Sequence, residues 1–387
     1  MTTIEAATET KLRVAVAETA DEREACFRLR YRVYVEEMGK HPSAADHKRK
    51  SYSDGHDKFA TLMYVSDGEQ VVASVRNVWA ADARPAEYIE RYDLEGGFAH
   101  VPPAQVGFSS YLNIAPEWRQ TKAMGMALED AYRHLRQKGA WLSFVQGNPA
   151  LVAMYERMGF RRFRPNIVDA DFGLRIPMAL VADDIDHLSA IRSPFARVAA
   201  DYTNESAHGR WFAQTFTDYA QPSIARLMGV EEFLRYVAER MYTDEHLLFR
   251  GVPKDEVDKV IASGMIFRAR AGEPIVRKGD PSTEMFTLLS GAAEVRGRSK
   301  AGRTQVLQTL GTGAIFGEMA LLSPQPRSAD VIALSDVELL MLSRDYFDRL
   351  LATTPATAGR MLWNLSIMLC DRLHVTTANL LGDEAGP

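Results

Sequence analysis

The residues best suited to chemistry lie in the last third of the chain, where an apolar strand ends at Phe316 and the run Gly317-Glu318-Met319-Ala320 follows. A proline-bounded loop then leads to Arg327 and Ser328. Glycine permits a tight turn, backbone N–H groups there can bind an anion, and a guanidinium can hold a phosphate through two hydrogen bonds. Glu318 would repel a phosphate, but it can accept a hydrogen bond from an adjacent sugar hydroxyl. These residues predict a pocket for a sugar phosphate.

This stretch resembles the phosphate-binding cassette of cyclic nucleotide-binding domains. By that resemblance, Glu318 holds the ribose 2′-hydroxyl. The cyclic phosphate is expected to contact the backbone of Gly317 and Ala320 and the side chains of Arg327 and Ser328. In related sensors for cGMP a threonine is common at this last position, so Ser328 favours cAMP as the effector over cGMP. The alternative is a domain that has lost its ligand, in which Glu318 and Arg327 only pair with each other.

A second candidate site begins at Ile114–Arg119 and continues through Lys122–Leu128. A strand that runs into a helix N-terminus, with a basic residue and a glycine, can bind a pyrophosphate or a phosphopantetheine. The pattern is similar to the acyl-thioester loop of the Gcn5-related N-acetyltransferase superfamily, in which Lys122 replaces the usual glutamine or arginine. The resemblance implies that the acyl donor, a thioester of CoA or of acyl carrier protein, binds at Lys122, Gly125 and Ala127.

Asn148 and Tyr155, which follow later in the chain, have the spacing found in the same superfamily. Asn148 begins the run Asn148-Pro149-Ala150, and Tyr155 begins a run that ends in Gly159-Phe160. By resemblance, Tyr155 protonates the departing thiolate and Asn148 supports the pantetheine arm. The alternative for Tyr155 is an aromatic side chain that only packs between helices.

The first hundred residues carry a third pattern, formed by Phe27–Gly39, Asp54–Asp57 and Val72–Arg76. It resembles the N-terminal half of acyl-homoserine-lactone synthases and of N-acyl amino acid synthases, which share the acetyltransferase fold and take long acyl chains, typically from acyl carrier protein. The polar positions of that pattern, expected to contact acceptor or carrier, are Arg30, Asp54, Asp57 and Arg76. An ion pair that only fixes the first helix is the alternative for Arg30 and Asp57.

Two departures from the third pattern favour an amino acid acceptor. Lys40 stands where the lactone synthases usually have tryptophan, and the segment 109–112 lacks the arginine often found on the central strand. Aminolysis of a thioester also needs a base for the amine and backbone donors for the carbonyl oxygen. Glu37, Asp57 and water are the open candidates for the base.

The elements that must position these residues form an alternation of strands and helices. We expect strands over 11–17, 60–65, 71–79, 106–114 and 141–146, with helices over 21–38, 124–138 and 148–158. Thr19 can cap the first helix, and Asp67-Gly68 can turn the hairpin. The pattern predicts an α/β acyltransferase fold, a mixed sheet flanked by helices, over residues 10–193.

The second half of the chain has a different character. Strand signals stop around Pro177–Ser193, and residues 194–247 are expected to form a helical linker with an apolar stripe from Val230 to Met241. Short strands separated by glycines then predict a β-roll, or jelly roll, and a helix is expected over Leu350–Leu381. Residues 248–382 therefore form the predicted nucleotide-binding domain. The sequence stops at Pro387, which leaves no room for a helix-turn-helix, so we expect no DNA partner.

Composition limits the class of protein. The 387 residues exceed one ordinary core, and a net charge of −5 gives no indication of nucleic acid as a partner. Only Cys26 and Cys370 are present, which fits a reducing cytoplasm. The polar first residues contain no signal core, no window reaches the apolar length of a membrane span, and we expect no metal.

Three functions follow from these observations. The leading one is a cytoplasmic N-acyltransferase that acts on an amine, such as an amino acid, under control of a cyclic nucleotide. The second keeps the sensor but acetylates protein lysines from acetyl-CoA, a pairing of domains that bacteria also use. The third is a catalytically dead first domain in a nucleotide-controlled binding module, which the unusual loop at Lys122 would explain.

Overall fold

We describe the chain from a computed structural model, in two parts. The residues that the structure describes are 12–40, 42–83, 85–119, 121–148, 151–169, 173–217, 219, 230–241, 247–280, 282–298, 303–323 and 325–381. Chain contacts separate one unit, Met1–Arg164 with Arg175–Gln221, from a second, Pro165–Leu174 with Pro222–Pro387. The predicted division at 193 and 247 stays a prediction.

The strands up to residue 181 are short except for three of nine residues. They are β1 (Arg13–Val16), β2 (Ala45–Asp46), β3 (Ser51–Tyr52), β4 (Thr61–Ser66), β5 (Val71–Trp79), β6 (Val106–Ile114), β7 (Leu142–Gly147), β8 (Arg161–Arg162), β9 (Ile167–Asp169) and β10 (Gly173–Val181). The helices are α1 (Ala20–Tyr31), α2 (Ala86–Arg91), α3 (Ala123–Gln137), α4 (Val152–Met158), α5 (Ile185–Ala190), α6 (Phe195–Ala199) and α7 (Ser206–Thr215).

The main sheet of the first unit runs in the order β1-β4-β5-β6-β7-β10-β8. Its pairs are antiparallel except β6 with β7, which are parallel. That parallel pairing covers only Val106–Phe108 against Leu142–Phe144. The two strands therefore separate over the rest of their length, and the sheet has an opening at its centre.

Helix α1 begins where the sequence predicted, because Thr19 caps it. Thr19 Oγ1 accepts a hydrogen bond from the backbone N–H of Glu22 at 3.2 Å, and the Glu22 carboxylate accepts one from the N–H of Thr19 at 2.8 Å. Such a capping box satisfies two N–H groups that the helix itself cannot. After Tyr31 the chain continues as a π-helix over Arg32–Glu37, so the expected helix over 21–38 changes its period midway.

Strand β10 runs through Pro177 and ends at Val181, inside the segment 177–193 where the strand signals were expected to stop. Pro177 lies opposite Gln146 of β7, and β10 continues to Val181. On its other side β8 pairs only with Met178 and Ala179. A proline lacks the N–H of a ladder hydrogen bond, and it is tolerated here where the pairing with β8 has ended.

The aromatic core of the first unit includes part of the expected linker. Within this core the Phe108 and Phe144 rings stack, and Phe98 contacts Phe144 edge-on. Phe212 of α7 is completely buried in the same cluster. Because α7 contributes to this core, the helices after residue 193 do not all serve as a spacer.

The second unit contains the β-roll. Its helices are α8 (Val230–Met241), α9 (Lys254–Ser263), α10 (Glu318–Leu322), α11 (Arg344–Thr353) and α12 (Pro355–Leu381). Its strands are β11 (Met265–Ala269), β12 (Pro274–Val276), β13 (Met285–Ser290), β14 (Ala293–Arg298), β15 (Thr304–Leu310), β16 (Ile315–Phe316), β17 (Asp330–Ala333) and β18 (Val337–Leu342).

The roll consists of two four-stranded antiparallel sheets. Their orders are β11-β18-β13-β16 and β12-β17-β14-β15. Buried side chains of α8, α9 and α12 join the core of the first of these sheets, among them Val237, Val260 and Met361. Of the expected linker stripe, the side chains of Val230, Phe233 and Met241 lie outside the described residues, whereas Val237 is fully buried.

Within the described ranges, no helix is both long and apolar enough to cross a membrane. The same residues contain no group of three or more histidine, cysteine, aspartate or glutamate side chains that could hold a metal ion.

Candidate functional sites

A cavity opens beside the point where β6 and β7 separate. The space inside it is about 500 Å³ when the open solvent at its mouth is included. Its lining is mostly apolar and comes from Val75, Ser109, Ser110, Leu112, Leu128, Ala131, Tyr132, Leu135, Ser143, Val145, Tyr155, Phe160, Leu180 and Phe195. Four of these residues lie on α3, so the cavity extends between that helix and the sheet.

Tyr155 is one of the lining residues, as is required of the side chain expected to donate a proton to the departing thiolate. It projects from α4 and contacts the Phe160 ring edge-on, with ring centroids 5.4 Å apart. Burial raises the pKa of Tyr155 above its usual range, so the phenol keeps its proton at neutral pH. Asn148 follows β7 directly, and its carbonyl accepts a hydrogen bond from the N–H of Leu151 at 2.8 Å. Pro149 and Ala150 lie outside the described residues.

The predicted donor loop leads into α3. Lys122 is exposed and precedes the helix, Gly125 is exposed in its first turn, and Ala127 is buried against the sheet. Thr121 Oγ1 accepts the N–H of Ala123 at 3.2 Å. The next N–H groups of a helix have no partner within it, and they suit an anionic group of a donor.

Arg30 and Asp57 form a buried ion pair. The Arg30 guanidinium donates to both carboxylate oxygens of Asp57, at 2.8 and 3.0 Å, and the side chains are 2% and 5% exposed. The Asp57 carboxylate also accepts the N–H of Asp54 at 2.7 Å. With its oxygens so engaged, Asp57 is poorly placed to remove a proton from an amine.

Asp54 and Arg76 extend this pair into a network. Arg76 donates to Asp54 at 2.5 Å and to Ser110 Oγ at 2.9 Å, and the Tyr111 hydroxyl donates to Asp54 at 2.9 Å. The Tyr111 ring lies 4.0 Å from the guanidinium carbon of Arg30 and 4.4 Å from that of Arg76. The structure thus brings all four predicted polar residues together, around a tyrosine that sequence reasoning did not select.

The network and the cavity approach the same strands from opposite sides. Val75 lines the cavity, whereas its neighbour Arg76 joins the network with Arg30 of α1. Successive side chains of a strand face opposite ways, so these two features lie on the two faces of the sheet. Ser110 connects them, since it lines the cavity and accepts from Arg76.

The charge of Asp54 allows a test of the network through acid stability. Burial acts to raise the pKa of Asp54, but the charge of Arg76 and hydrogen bonds from Arg76, Tyr111 and His56 outweigh it, and the pKa lies below its ordinary value of 3.8. A carboxyl whose pKa is lower in the folded than in the unfolded chain stabilises the fold fully at pH values above its pKa in the unfolded chain. This stabilisation is lost as the pH falls through its pKa in the folded chain.

We therefore expect Asp54→Asn to lower the free energy of unfolding by about 1.5–3 kcal/mol at neutral pH, the range for a hydrogen bond to a charged group. The difference from wild type should shrink as the pH falls below 3.8. Denaturant unfolding over a pH series measures this. Asp82→Asn, at an exposed carboxylate, is the control, and equal stability of all three proteins at neutral pH would contradict the prediction.

The other candidate base, Glu37, is also paired. Both of its oxygens accept from the Arg119 guanidinium, at 2.5 and 2.8 Å, on the surface of the unit. Glu37 and Asp57 are therefore both held in ion pairs. Water is the one of the three candidates for the base that is not held in this way.

The cassette of the second unit surrounds Arg327. Its guanidinium donates to the carbonyl of Gly317 at 3.0 Å, to the carbonyl of Glu284 at 2.6 Å and to Ser282 Oγ at 3.2 Å. Gly317 has a φ of +81°, and a Cβ there would lie 2.7 Å from the guanidinium, so only glycine fits. Ala320 is buried beside it, whereas Ser328 is exposed.

Glu318 pairs with a residue that sequence reasoning missed. Arg372 of α12 donates to the Glu318 carboxylate at 2.7 Å and to the carbonyl of Ile315 at 2.5 Å. The alternative in which Glu318 and Arg327 pair only with each other is therefore not the arrangement observed. A signal was present, since Arg372 stands four residues after Met368, in line with the stripe of α12 that faces the roll.

Two protein-family models match the chain. Residues 29–129 match an acetyltransferase (GNAT) domain, and residues 266–354 match a cyclic nucleotide-binding domain. The first range includes the Arg30 network and Lys122 but stops before Asn148 and Tyr155. The second includes the whole cassette but stops before Arg372.

Individual proteins also resemble parts of the chain. The cyclic AMP receptor protein of Thermus thermophilus is 33% identical over 33% of this chain and 57% of its own length. The Pycsar effector protein XpPycTIR of Xanthomonas perforans is 31% identical over 40% of this chain and 48% of its own. The chain thus spans less than two thirds of either relative. A crystal structure of the Thermus thermophilus catabolite activator protein matches 35% of this chain and 61% of that one, with 31% identity and a TM-score of 0.32.

Proposed function

Because the chain joins a GNAT acetyltransferase domain to a cyclic nucleotide-binding domain, we propose that it is an N-acyltransferase regulated by a cyclic nucleotide. The donor is an acyl thioester of CoA or of acyl carrier protein, the acceptor is a small amine such as an amino acid, and the effector is cAMP. The observation that carries this proposal is the apolar cavity that meets Tyr155 at the opening between β6 and β7.

The cavity favours an acyl chain longer than acetyl. An acetyl group needs little room beyond the reacting carbonyl, whereas this space extends past Tyr155 to Tyr132, Leu135 and Phe195. Burying each methylene of a chain there would contribute about 0.8 kcal/mol. A lysine acetyltransferase that uses acetyl-CoA, the second candidate, would leave the part of the cavity lined by Tyr132, Leu135 and Phe195 without an acyl chain.

The reaction follows from this placement. The acyl tail occupies the cavity, and the thioester carbonyl lies at the opening, where backbone N–H groups of β6 beyond its pairing with β7 can stabilise the oxyanion. The neutral amine attacks the carbonyl carbon from the face that carries the Arg30–Asp57 network, and the C–S bond breaks. Water takes the amine proton, while the Tyr155 hydroxyl donates a hydrogen bond to the departing sulfur.

Chain length is the property that tests the proposal. We expect wild-type protein to prefer medium or long acyl donors over acetyl-CoA in a panel of thioesters offered with a mixture of amino acids. Ala131→Phe, which fills the cavity from α3, should shift the preference toward short donors by about tenfold, through lost burial of two methylenes. Arg133→Phe on the same helix does not line the cavity and should leave the preference unchanged.

The result separates the candidates. If the protein transfers only acetyl groups and Ala131→Phe does not change its donor preference, the lysine acetyltransferase is supported. The assay would then use peptide substrates in place of amino acids. A protein that binds cAMP but transfers no acyl group from any donor would support the binding module instead.

Replacing Tyr155 by phenylalanine should lower kcat about tenfold, with little change in donor affinity. The loss is smaller than the roughly 100- to 10,000-fold of a full proton donor, because Tyr155 only donates a hydrogen bond to a thiolate that is already a tolerable leaving group. Because the raised pKa keeps the phenol protonated, the deficit should be constant from neutral to mildly alkaline pH. Steady-state kinetics over a pH series measures it. Phe160→Leu, which removes the ring that packs on Tyr155, is the control for packing, and equal rates for wild type and Tyr155→Phe would leave Tyr155 a packing residue.

A further inference from the structure

Arg175 stands on β10 where the pairing between β10 and β7 ends. The last paired residues are Ile176 of β10 and Gly147 of β7, and Arg175 comes directly before them. The pairing of β7 with β6 covers only Leu142–Phe144, at the opposite end of β7. A Cβ on Gly147 would lie 3.4 Å from the Tyr155 ring. Arg175 therefore lies at the end of the sheet where β6 and β7 have separated and where Tyr155 meets the opening.

The side chain of Arg175 lies on the face of the sheet that carries the ion-pair network. Leu180 of β10 lines the cavity, whereas Ala179 packs with Val78 in the aromatic core on the other face. Because successive side chains of a strand alternate, Arg175 shares the face of Ala179, and Arg76 shares the face of Val78. In the proposed reaction the amine approaches the carbonyl from this face.

Two tyrosines locate the Arg175 guanidinium more closely. Tyr34 belongs to the π-helix after α1, and its ring contacts the Tyr111 ring of β6 edge-on, with centroids 5.6 Å apart. Burial raises the pKa of both Tyr34 and Tyr155, and in both cases the positive charge of Arg175 acts against it. Such an influence weakens with distance, so the guanidinium lies near both hydroxyl groups. Arg175 is thus close to the side chain that faces the departing sulfur.

The two arginines of the network are less suited to bind a further anion. Arg30 donates to both oxygens of Asp57, and Arg76 donates to Asp54, so these four charges balance. A guanidinium has five N–H donors, and two of them can hold a carboxylate in parallel while the others keep contacts within the protein. Arg175, which is half-buried, can therefore offer two donors at the opening.

We propose that Arg175 binds the α-carboxylate of the acceptor, so that the protein acylates free α-amino acids. This inference rests on the proposed acyltransferase function and names the class of its acceptor. The carbon that carries the carboxylate also carries the amine, so a carboxylate held at Arg175 directs the amine toward the thioester carbonyl above Tyr155. A lysine side chain of a peptide has no carboxylate beside its amine and loses this contact.

Amino acids and their amides, which lack the negative charge, test the proposal when both are offered with decanoyl-CoA or with decanoyl acyl carrier protein. Products are measured by mass spectrometry. Arg175→Ala should lower kcat/KM for the acids by roughly 10- to 150-fold, the range for a hydrogen bond to a charged group, and leave kcat/KM for the amides unchanged. The loss should fall on KM, because the carboxylate has the same charge in the substrate and in the transition state.

The ratio of acid to amide, compared between wild type and variant, cancels the different basicity of the two amines. Arg175→Lys keeps the charge but not the planar fork, so its acid-to-amide ratio should be intermediate. Arg157→Ala removes an exposed arginine of α4, the helix of Tyr155, and should keep the wild-type ratio.

Three results would overturn the proposal. An acid-to-amide ratio that Arg175→Ala leaves unchanged, with transfer to amines still observed, would remove the carboxylate site while the acyltransferase function stands. Equal losses for acids and amides in both Arg175→Ala and Arg175→Lys would give Arg175 a structural role instead. A wild-type protein that transfers the decanoyl group to neither kind of acceptor would overturn the proposed function together with this site.

Discussion

Replacing Arg327 by alanine is expected to raise the Kd for cAMP by roughly 30- to 1,000-fold, or about 2–4 kcal/mol. The guanidinium is 3% exposed at its side chain, and its three hydrogen bonds hold Gly317 and Glu284 around the position expected for the cyclic phosphate. Its loss removes both a charge-assisted contact with the phosphate and the contacts that shape the turn. Isothermal titration calorimetry with the whole chain measures the change.

Two further variants separate binding from folding. Arg327→Lys keeps the charge but not the planar fork, so its loss of affinity should be intermediate. Arg268→Ala removes another guanidinium of the roll, one that pairs with Glu338 at 2.7 Å and lies away from the cassette. If Arg268→Ala weakened cAMP binding as much as Arg327→Ala did, the effect would come from destabilised folding. Equal affinity of wild type and Arg327→Ala would remove the assignment of the cassette.

Local patterns in the sequence predicted local structure well. The expected strand over Val106–Ile114 has those bounds in the structure, and the hairpin of β4 and β5 turns at Asp67-Gly68 as expected. Each depends on neighbouring residues, through alternation of apolar side chains or through a turn that glycine permits.

Contacts between distant residues were beyond such reasoning. Arg372 and Glu318 are 54 positions apart, and Tyr111 and Asp54 are 57 apart. A single sequence specifies which groups are charged but not which distant groups meet. The strand β10 was not predicted for a related reason. A proline disfavours a strand when only the adjacent residues are considered, and here the pairing within the sheet is what permits one at Pro177.

The position of α7 changes how the two activities should be separated. A chain cut near Arg197 would lose Phe212, which is fully buried in the core of the first unit. Removing such a ring costs about 3–5 kcal/mol, enough to unfold many domains. A point variant that cannot bind the nucleotide, within the whole chain, is therefore a better comparison than a truncated chain.

The connection between sensor and catalyst is proposed to run through helices at either end of the roll. Arg372 of α12 contacts Glu318, so a ribose hydroxyl that binds Glu318 must share or replace that contact. Val237 of α8, just before the roll, packs in the same core as Met361 and Leu365 of α12. A change at the cassette can thus reach α8, from which the chain leads back toward the acyltransferase domain.

We expect saturating cAMP to change the rate of acyl transfer by roughly 5- to 150-fold, the range of typical coupling free energies of about 1–3 kcal/mol. The assay compares wild type with Arg327→Ala, whose rate should not respond to the nucleotide. Arg372→Ala should reduce the response, while Arg360→Ala, an exposed arginine of the same helix, should not. Linkage requires that saturating acyl donor change the affinity for cAMP by the same factor as cAMP changes the affinity for donor. A wild-type chain that binds cAMP in calorimetry yet transfers acyl groups at an unchanged rate and donor affinity would refute the coupling, because a ligand shifts an equilibrium only by its differential affinity for the two states.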